Sequence, residues 1–201
     1  MKPGLLLLIG AVALTGCALL GKNEPQVPRY FTPEYEAEAT GTRIRPGVQL
    51  RLGRVEGWSH LRERMAVRNS TRELSYYEDR HWTERPEIYL RRALSRALFE
   101  ERGLSPSLSG HGVTLDVELI GFEEVAQPHL ARMQALVVLR DDRIGLLDET
   151  ITVEQPVEAG QADAARAVVE ALSQALHTGV TRIADRVVSK LSDGSTNAAA
   201  R

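Results

Sequence analysis

The pattern that most restricts the fold is a run of apolar residues at helical spacing near the end of the chain. The run comprises Ala165, Val168, Leu172, Leu176, Val180, Ile183, Val187 and Leu191. Because Asp163 is a favourable N-cap, the spacing predicts an amphipathic helix from there to about Leu191, roughly 40 Å long. Such a helix is longer than one small sheet needs. One hypothesis is that its far end packs on a second copy of the chain, in a homo-oligomer.

Segments in which apolar and polar residues alternate predict the sheet that packs on this helix. The predicted strands lie around residues 48–52, 64–68, 73–77, 113–119, 131–140 and 147–153. Alternation with a period of two is typical of strands with one buried face. Asn69–Arg72 is a predicted hairpin loop, and Asp141–Arg143 is a predicted turn within a meander of the last three strands.

Another helix is predicted between the two groups of strands. Pro86 is a favoured first helical residue, and Gly103 is a favoured residue just after a helix end. The order of elements predicts an α/β fold: a single sandwich domain with a mixed sheet of about five to six strands and two main helices, the C-terminal one long. The helices are expected on one or both faces of the sheet. The strand–helix–strand segment around residues 73–119 predicts two parallel neighbouring strands joined by a right-handed crossover.

The N-terminal segment is predicted to direct export. Met1–Pro3 carry one positive side chain, and Gly4–Leu14 are uncharged and largely apolar. This run is shorter than the roughly 20 residues of a membrane-spanning helix, and it is typical of a signal peptide. Leu14–Cys17 resembles the lipobox of bacterial lipoproteins, in which the cysteine thiol receives a diacylglyceryl group. We therefore predict lipidation of Cys17; the alternative is an ordinary apolar cysteine in a plain signal sequence.

The predicted organisation of the chain follows from this anchor. Repeated prolines favour an extended tether, although the aromatic residues Tyr30, Phe31 and Tyr35 are expected to dock on the domain. Ala18 follows the cysteine where Asp would favour inner-membrane retention, which predicts the outer membrane, facing the periplasm, over the inner membrane. The signal peptide is predicted at residues 1–16, and the lipidated N-terminus with its tether at residues 17–46. The globular domain is predicted at residues 47–192, and a disordered tail at residues 193–201.

The sequence shows no pattern typical of an active site. Gly57–His60 resemble the start of a nucleophile elbow, but Leu61 stands where the second glycine belongs. Asp141 and Asp142 are typical of a solvated turn, and a formal net charge of −2 argues against nucleic acid as a partner. No pair with the helical spacing of a zinc site occurs among His60, His81, His111, His129 and His177. We predict a protein that is not an enzyme and has no catalytic, metal-binding or cofactor-binding residues.

One block of residues resembles a known family. Tyr76–Tyr77, then His81–Pro86 and a helix that ends before Gly103, are similar to the signature of the ABC-type transport auxiliary lipoproteins. Tyr30–Phe31 would correspond to the Tyr-rich segment that members carry soon after the lipobox. The sequence departs from the signature in having His81 in place of Arg and Thr83 in place of Ala.

The resemblance implies a non-catalytic role in transport. Such lipoproteins work in the periplasm beside a mammalian-cell-entry-type substrate-binding protein, an ABC permease and an ATPase, in systems that move phospholipid or other hydrophobic molecules between the two membranes. The chain is then expected to be an adaptor of such a transporter. Two alternatives stay open: a lipid-binding carrier whose helix and sheet enclose an acyl chain, and a structural lipoprotein of envelope or secretion machinery.

Overall fold

The computed structural model describes residues 27–35, 48–108, 112–142, 144–160 and 162–199, with side chains as far as Asp193. The predicted signal peptide, the predicted lipidation site and most of the tether lie outside these residues. A π-helical segment, Arg96–Glu101, continues the first helix. The elements are β1 (Arg29–Phe31), β2 (Gln49–Gly57), β3 (Arg64–Ser70), β4 (Glu73–Trp82), α1 (Pro86–Ser95), β5 (Ser105–Pro106), β6 (Thr114–Val125), β7 (Leu130–Arg140), β8 (Gly145–Pro156) and α2 (Ala164–Ala199).

Strand β6 is the central strand of the sheet. On one edge it pairs antiparallel with β7 from Thr114 to Val125. On its other edge it pairs parallel with β2 over its first half and parallel with β3 over Glu123–Val125, so β2 and β3 lie end to end. β8 pairs antiparallel with β7, β4 antiparallel with β3, β1 parallel with β4 and β5 parallel with β2. The result is a mixed sheet of eight strands.

The fold class predicted from the sequence is confirmed, with two differences in the sheet. The eight strands exceed the predicted five to six, because β1 and β5 are three and two residues long, too short for an alternating pattern. The expected crossover does not make β4 and β6 parallel neighbours. The tight turn at Thr71–Arg72 holds β4 beside β3, and β3 is itself the parallel neighbour of β6.

Both helices pack on the same face of the sheet. α2 contacts α1 as well as β6, β7 and β8, and α1 contacts β2 and β6. The buried side chains of this face on β6 and β7 include Leu115, Val117, Leu119, Met133, Ala135 and Val137. The opposite face is polar, with Arg132 paired to Glu154 at 2.8 Å and Arg140 to Asp116 at 2.7 Å. The fold is therefore a two-layer sandwich with a single core.

Local signals lie at both ends of the helix formed by α1 and its π-helical continuation. Pro86 is its first residue, as the sequence predicts, and no side chain caps its N-terminus. The π-helical segment ends before Gly103, whose φ of +73° is a conformation that glycine adopts readily. The buried side chains of this helix and its π-helical continuation include Leu90, Leu94, Ala97 and Leu98.

The long C-terminal helix begins where the sequence predicts. The carboxylate of Asp163 accepts hydrogen bonds from the backbone N–H groups of Ala165 and Arg166, at 3.1 and 3.3 Å. The backbone stays helical to Ala199, past the predicted end near Leu191 and through most of the segment predicted as a tail. That segment contains no proline, and propagation of a helix adds one hydrogen bond for each residue fixed. Within the described ranges, no helix is long and apolar enough to cross a membrane.

Helix α2 approaches the sheet closely at Gly179. A Cβ atom at this position would lie 2.6 Å from Sδ of Met133 on β7 and 3.1 Å from Cε of the same side chain. Met133 is only 1% exposed, so its side chain has little room to move. A glycine at this position therefore allows the helix to pack at its observed distance from the sheet.

Replacing Gly179 by valine should lower the free energy of unfolding by about 1–3 kcal/mol, because the new side chain overpacks this contact. A Met133→Ala background costs about 2–5 kcal/mol by itself. In the Met133→Ala background, Gly179→Val should lower the free energy of unfolding by less than it does in the parent protein. The reason is that the cavity left by the methionine side chain accepts the added methyl groups. Urea unfolding of the four proteins measures the coupling energy. Equal costs of Gly179→Val in the two backgrounds would show that the contact does not set the helix–sheet distance.

Candidate functional site

The predicted lipid attachment point, Cys17, lies outside the described residues, and the described part of the tether nearest to it is residues 27–35. This stretch is the docked segment. Its aromatic residues contact the domain as expected: Phe31 is paired within the sheet, and the rings of Tyr30 and Tyr35 lie 5.5 and 5.3 Å from histidine rings of the domain. The docked segment is thus the described link between the predicted anchor and the globular fold.

The docked segment joins the sheet through β1. It pairs parallel with β4, which places Phe31 beside Trp82. Beyond the strand, the carbonyl oxygen of Phe31 accepts a hydrogen bond of 2.9 Å from the N–H of Thr83. The guanidinium of Arg29 lies 4.9 Å from the centre of the Phe31 ring, a cation–π contact. Backbone pairing therefore attaches the docked segment to the block of residues that carries the family resemblance.

That block connects the docked segment to the core. Trp82 is 2% exposed, and its ring lies 5.3 Å from the ring of Phe122 and 6.3 Å from that of Tyr89. The hydroxyl of Thr83 is hydrogen-bonded to the hydroxyls of Tyr89, at 2.7 Å, and Thr32, at 2.8 Å. Burial raises the pKa of Tyr89, which keeps its hydroxyl protonated. The side chain of Trp82 thus packs in the core, while that of the next residue, Thr83, is hydrogen-bonded to the docked segment.

An ion pair attaches the docked segment to the start of α2. Both Nη atoms of Arg29 donate hydrogen bonds to the carboxylate of Asp163, at 3.0 and 2.5 Å. The same carboxylate caps the helix, so one side chain serves both contacts. The hydrogen bond from Arg29 is the main cause that lowers the pKa of Asp163 from its usual 3.8 to about 2.

The far end of the docked segment contacts a buried charge network. The hydroxyl of Tyr35 donates to Oε2 of Glu101 at 3.1 Å, and Glu101 pairs with Arg102 at 2.9 Å. Arg102 is 1% exposed and reaches Asp185 on α2 at 3.0 Å. Burial, followed by the negative charge of Glu101, raises the pKa of Tyr35 above its ordinary range. Ser173 on α2 accepts a further hydrogen bond, of 3.1 Å, from the N–H of Glu34.

An open groove of about 670 Å³ runs between the docked segment and α2. Phe31 and Val169 supply its apolar surface. The polar residues that line it include Arg166, Glu170, Gln174 and, on β8, Gln155. This mixture gives an amphipathic surface groove, and it is open to solvent.

The serine and the aspartate pair considered from the sequence lie in connections between strands. Ser59 lies in the turn after β2, and the Asp141–Asp142 pair lies next to the β7–β8 turn. No group of three His, Cys, Asp or Glu side chains that could hold a metal ion occurs among the described residues, which leave out His111. His60 and His81, however, line one hollow. Sequence reasoning missed this pair, because a hairpin separates the two residues along the chain.

Comparison with known proteins identifies the family. The family model of the ABC-type transport auxiliary lipoprotein component matches residues 32–184, from the docked segment into α2. A crystal structure of a Xanthomonas campestris protein has a TM-score of 0.71 and 19% sequence identity, covering 84% of this chain and 99% of that one. A hypothetical protein of Chlamydia trachomatis has a TM-score of 0.52 and 10% identity, covering 73% and 99%. At these identities the structures show a shared fold alone. No curated protein matches the chain.

The ion pair between Arg29 and Asp163 should make stability depend on pH in a defined window. The pKa of Asp163 is about 2 in the folded protein, against a usual 3.8. The ion pair therefore adds to the free energy of unfolding above pH 3.8, and this contribution is lost as the pH falls towards 2. Replacing Arg29 by glutamine should raise the pKa of Asp163, observed by NMR titration of its carboxyl carbon, and flatten that part of the stability profile. Arg166→Gln, on the same helix turn, is the control. An unchanged Asp163 titration in the Arg29 variant would contradict the assignment.

Proposed function

The chain belongs to the family of ABC-type transport auxiliary lipoprotein components, and from this membership we propose that it is a non-catalytic adaptor of an ABC-type transporter, held to a membrane by lipid on Cys17. The observation that carries the proposal is the docked segment. Its backbone pairing with β4, its ion pair with Asp163 and its hydrogen bond to Ser173 attach the chain that leads to Cys17 to both layers of the fold. An adaptor needs such a firm connection, because its position relative to the membrane fixes where it can meet a partner.

The proposed partners are a mammalian-cell-entry-type substrate-binding protein with its ABC permease and ATPase, and the proposed cargo is phospholipid or another hydrophobic molecule. Family membership supports an auxiliary role, and the resemblance of the block from Tyr76 to Pro86 supports this class of transporter. The proposed site of action is the outer membrane, on its periplasmic side, since Ala18 follows the cysteine in place of the Asp that favours inner-membrane retention. A homo-oligomer is compatible with this arrangement.

A lipid carrier is the leading alternative. Its supporting observation is the groove of about 670 Å³ beside α2. Arg166, Glu170, Gln174 and Gln155 line this groove, and an acyl chain leaves the hydrogen-bonding capacity of such side chains unused. Known ligand pockets bury most of their ligand, whereas this groove is open. These features favour the adaptor.

The lipid anchor is tested by replacing Cys17 with serine. The variant should pass almost completely from the membrane fraction to the soluble fraction, because it carries no acyl chain to bury. Intact-mass measurement should show the loss of the diacylglyceryl group. Ala18→Asp is the sorting control: it should keep the lipid and move the protein from outer-membrane to inner-membrane fractions of a sucrose gradient. A serine variant that has lost its signal peptide and still stays in the membrane would contradict the anchor.

The adaptor role is tested by an affinity pull-down of the detergent-solubilised, lipidated protein from its own envelope, with mass spectrometry of proteins and lipids together. The expected result is recovery of a mammalian-cell-entry-type protein with its permease or ATPase. Stoichiometric free lipid without a protein partner would favour the carrier. Recovery of outer-membrane machinery alone would favour a structural lipoprotein and contradict the transport role.

A further inference from the structure

A basic hollow lies beside the docked segment, at the end of β4. Its volume is about 680 Å³, and its lining includes His60, Arg62, Glu63, Arg64, Tyr76 and His81. The hollow is formed by the loop between β2 and β3 together with β4. It is separate from the groove beside α2, and neither the fold nor the proposed adaptor role accounts for its side chains.

The two arginines of the hollow are oriented but not paired. Nε of Arg62 donates to the carbonyl oxygen of Ser59 at 3.3 Å, and Nε of Arg64 donates to that of Tyr77 at 3.2 Å. The Arg64 guanidinium also lies 6.0 Å from the ring centre of Tyr76. Across the described residues, neither guanidinium has a carboxylate partner. Two positive groups are thus held by their Nε atoms while their terminal nitrogens stay available.

The two histidines add buried nitrogens without partners. Nε2 of His60 and Nδ1 of His81 are shielded from solvent, and neither has a hydrogen-bond partner in the part of the chain that the structure describes. A buried polar atom without a hydrogen bond destabilises a protein, so these two nitrogens are not explained by the packing of the fold alone. Both rings line the hollow, so rotation of either ring would let it donate an N–H to an anion bound there.

The charge and geometry of the hollow favour phosphate. Glu63 is the one carboxylate among the described lining residues, against the two guanidinium groups of Arg62 and Arg64. The planar guanidinium fork matches the oxygens of phosphate, and several donors converge on one space. The lining therefore has a net positive charge even when both histidines are neutral.

Exposed aromatic side chains at the hollow distinguish a lipid headgroup from a free phosphate. Tyr30 is 65% exposed with its ring 5.5 Å from that of His81, and Trp58 is 49% exposed with its ring 6.3 Å from that of His60. Tyrosine and tryptophan are enriched at the level of lipid headgroups, where one end of the side chain is apolar and the other is hydrated. Tyr30 also belongs to the docked segment, the chain that leads towards the predicted anchor.

We propose that this hollow binds the phosphate group of an anionic phospholipid, with Arg62 and Arg64 as the main charged donors, His60 and His81 as further donors, and Tyr30 and Trp58 at the membrane interface. The chain would then recognise lipid directly, which goes beyond the adaptor role. Binding to vesicles requires no transporter, so this proposal and the proposed function can fail separately.

The test uses the mature chain with Cys17→Ser, so that no acyl chain of its own inserts into the vesicles. Binding to phosphatidylglycerol vesicles and to phosphatidylcholine vesicles is measured by co-sedimentation. Binding of inorganic phosphate is measured by calorimetry. Trp58 provides a second signal, because Trp82 is 2% exposed and contributes a constant background. Phosphatidylglycerol should shift the tryptophan emission to the blue, and the shift should disappear in Trp58→Phe.

Variants of the hollow give the expected changes in affinity. Arg62→Gln with Arg64→Gln should weaken binding to phosphatidylglycerol vesicles by roughly 10- to 30-fold, and Glu63→Gln should strengthen it by roughly fivefold. The matched control, Arg54→Gln with Arg72→Gln, changes the net charge equally at exposed residues outside the hollow and should bind as the parent does. Circular dichroism confirms that each variant is folded.

The outcomes separate the possible ligands. Binding to phosphatidylglycerol but not phosphatidylcholine, lost in the Arg62/Arg64 variant alone, supports the headgroup site. Calorimetric binding of inorganic phosphate with the same arginine dependence, but no vesicle binding, would keep the phosphate chemistry and overturn the lipid source. Equal loss in the control pair would overturn the site, and so would binding to neither probe. Capture of an acidic protein segment by the same two arginines without vesicle binding would also overturn it.

Discussion

The fold depends on one strand, β6, whose two edges are both hydrogen-bonded and whose last residues are buried on both faces. This burial includes Glu123 and Glu124, which are 2% and 6% exposed. Buried carboxylates are costly unless they are paired. Glu123 accepts a hydrogen bond of 3.0 Å from Arg68, and Glu124 accepts one of 2.7 Å from the hydroxyl of Tyr77. Burial and then Glu124 raise the pKa of Tyr77 to about 12, so this donor stays protonated. Tyr77, which belongs to the block of residues that carries the family resemblance, thus stabilises the central strand.

The rest of that block serves the junction between the core and the docked segment. Trp82 packs in the core, the N–H of the next residue, Thr83, bonds Phe31, and the hydroxyl of Thr83 bonds Thr32. A short run of sequence therefore connects the central strand, the first helix and the route to the membrane. On the same strand, His81 faces the basic hollow. The block is structural in its own contacts, and it brings the docked segment and the proposed lipid site to the same edge of the sheet.

Features that depend on neighbouring residues could be predicted from the sequence. Asp163 caps α2, Gly103 follows the π-helical continuation of α1, and the hairpin between β3 and β4 forms, because caps and tight turns are specified within a few residues. Features that depend on distant residues could not. The insertion of β6 beside both β2 and β3 is decided by which apolar faces meet across the sheet, and two-residue β5 has no pattern to detect. His60 and His81 are brought together only by the hairpin, and the unpaired state of Arg62 and Arg64 is a property of the surroundings. The lipidation of Cys17 stays a prediction.

The ion pair of the docked segment joins residues 134 positions apart. In a chain exported amino end first, Arg29 reaches the periplasm long before Asp163, so this contact has no partner until nearly the whole domain has crossed. The strand partner β4 also arrives after β1, and the central strand arrives later still. Complete attachment of the docked segment therefore requires nearly the whole domain. A chain that ends before Asp163 would lack this contact and the one with Ser173, so the topology couples full attachment of the docked segment to completion of the domain.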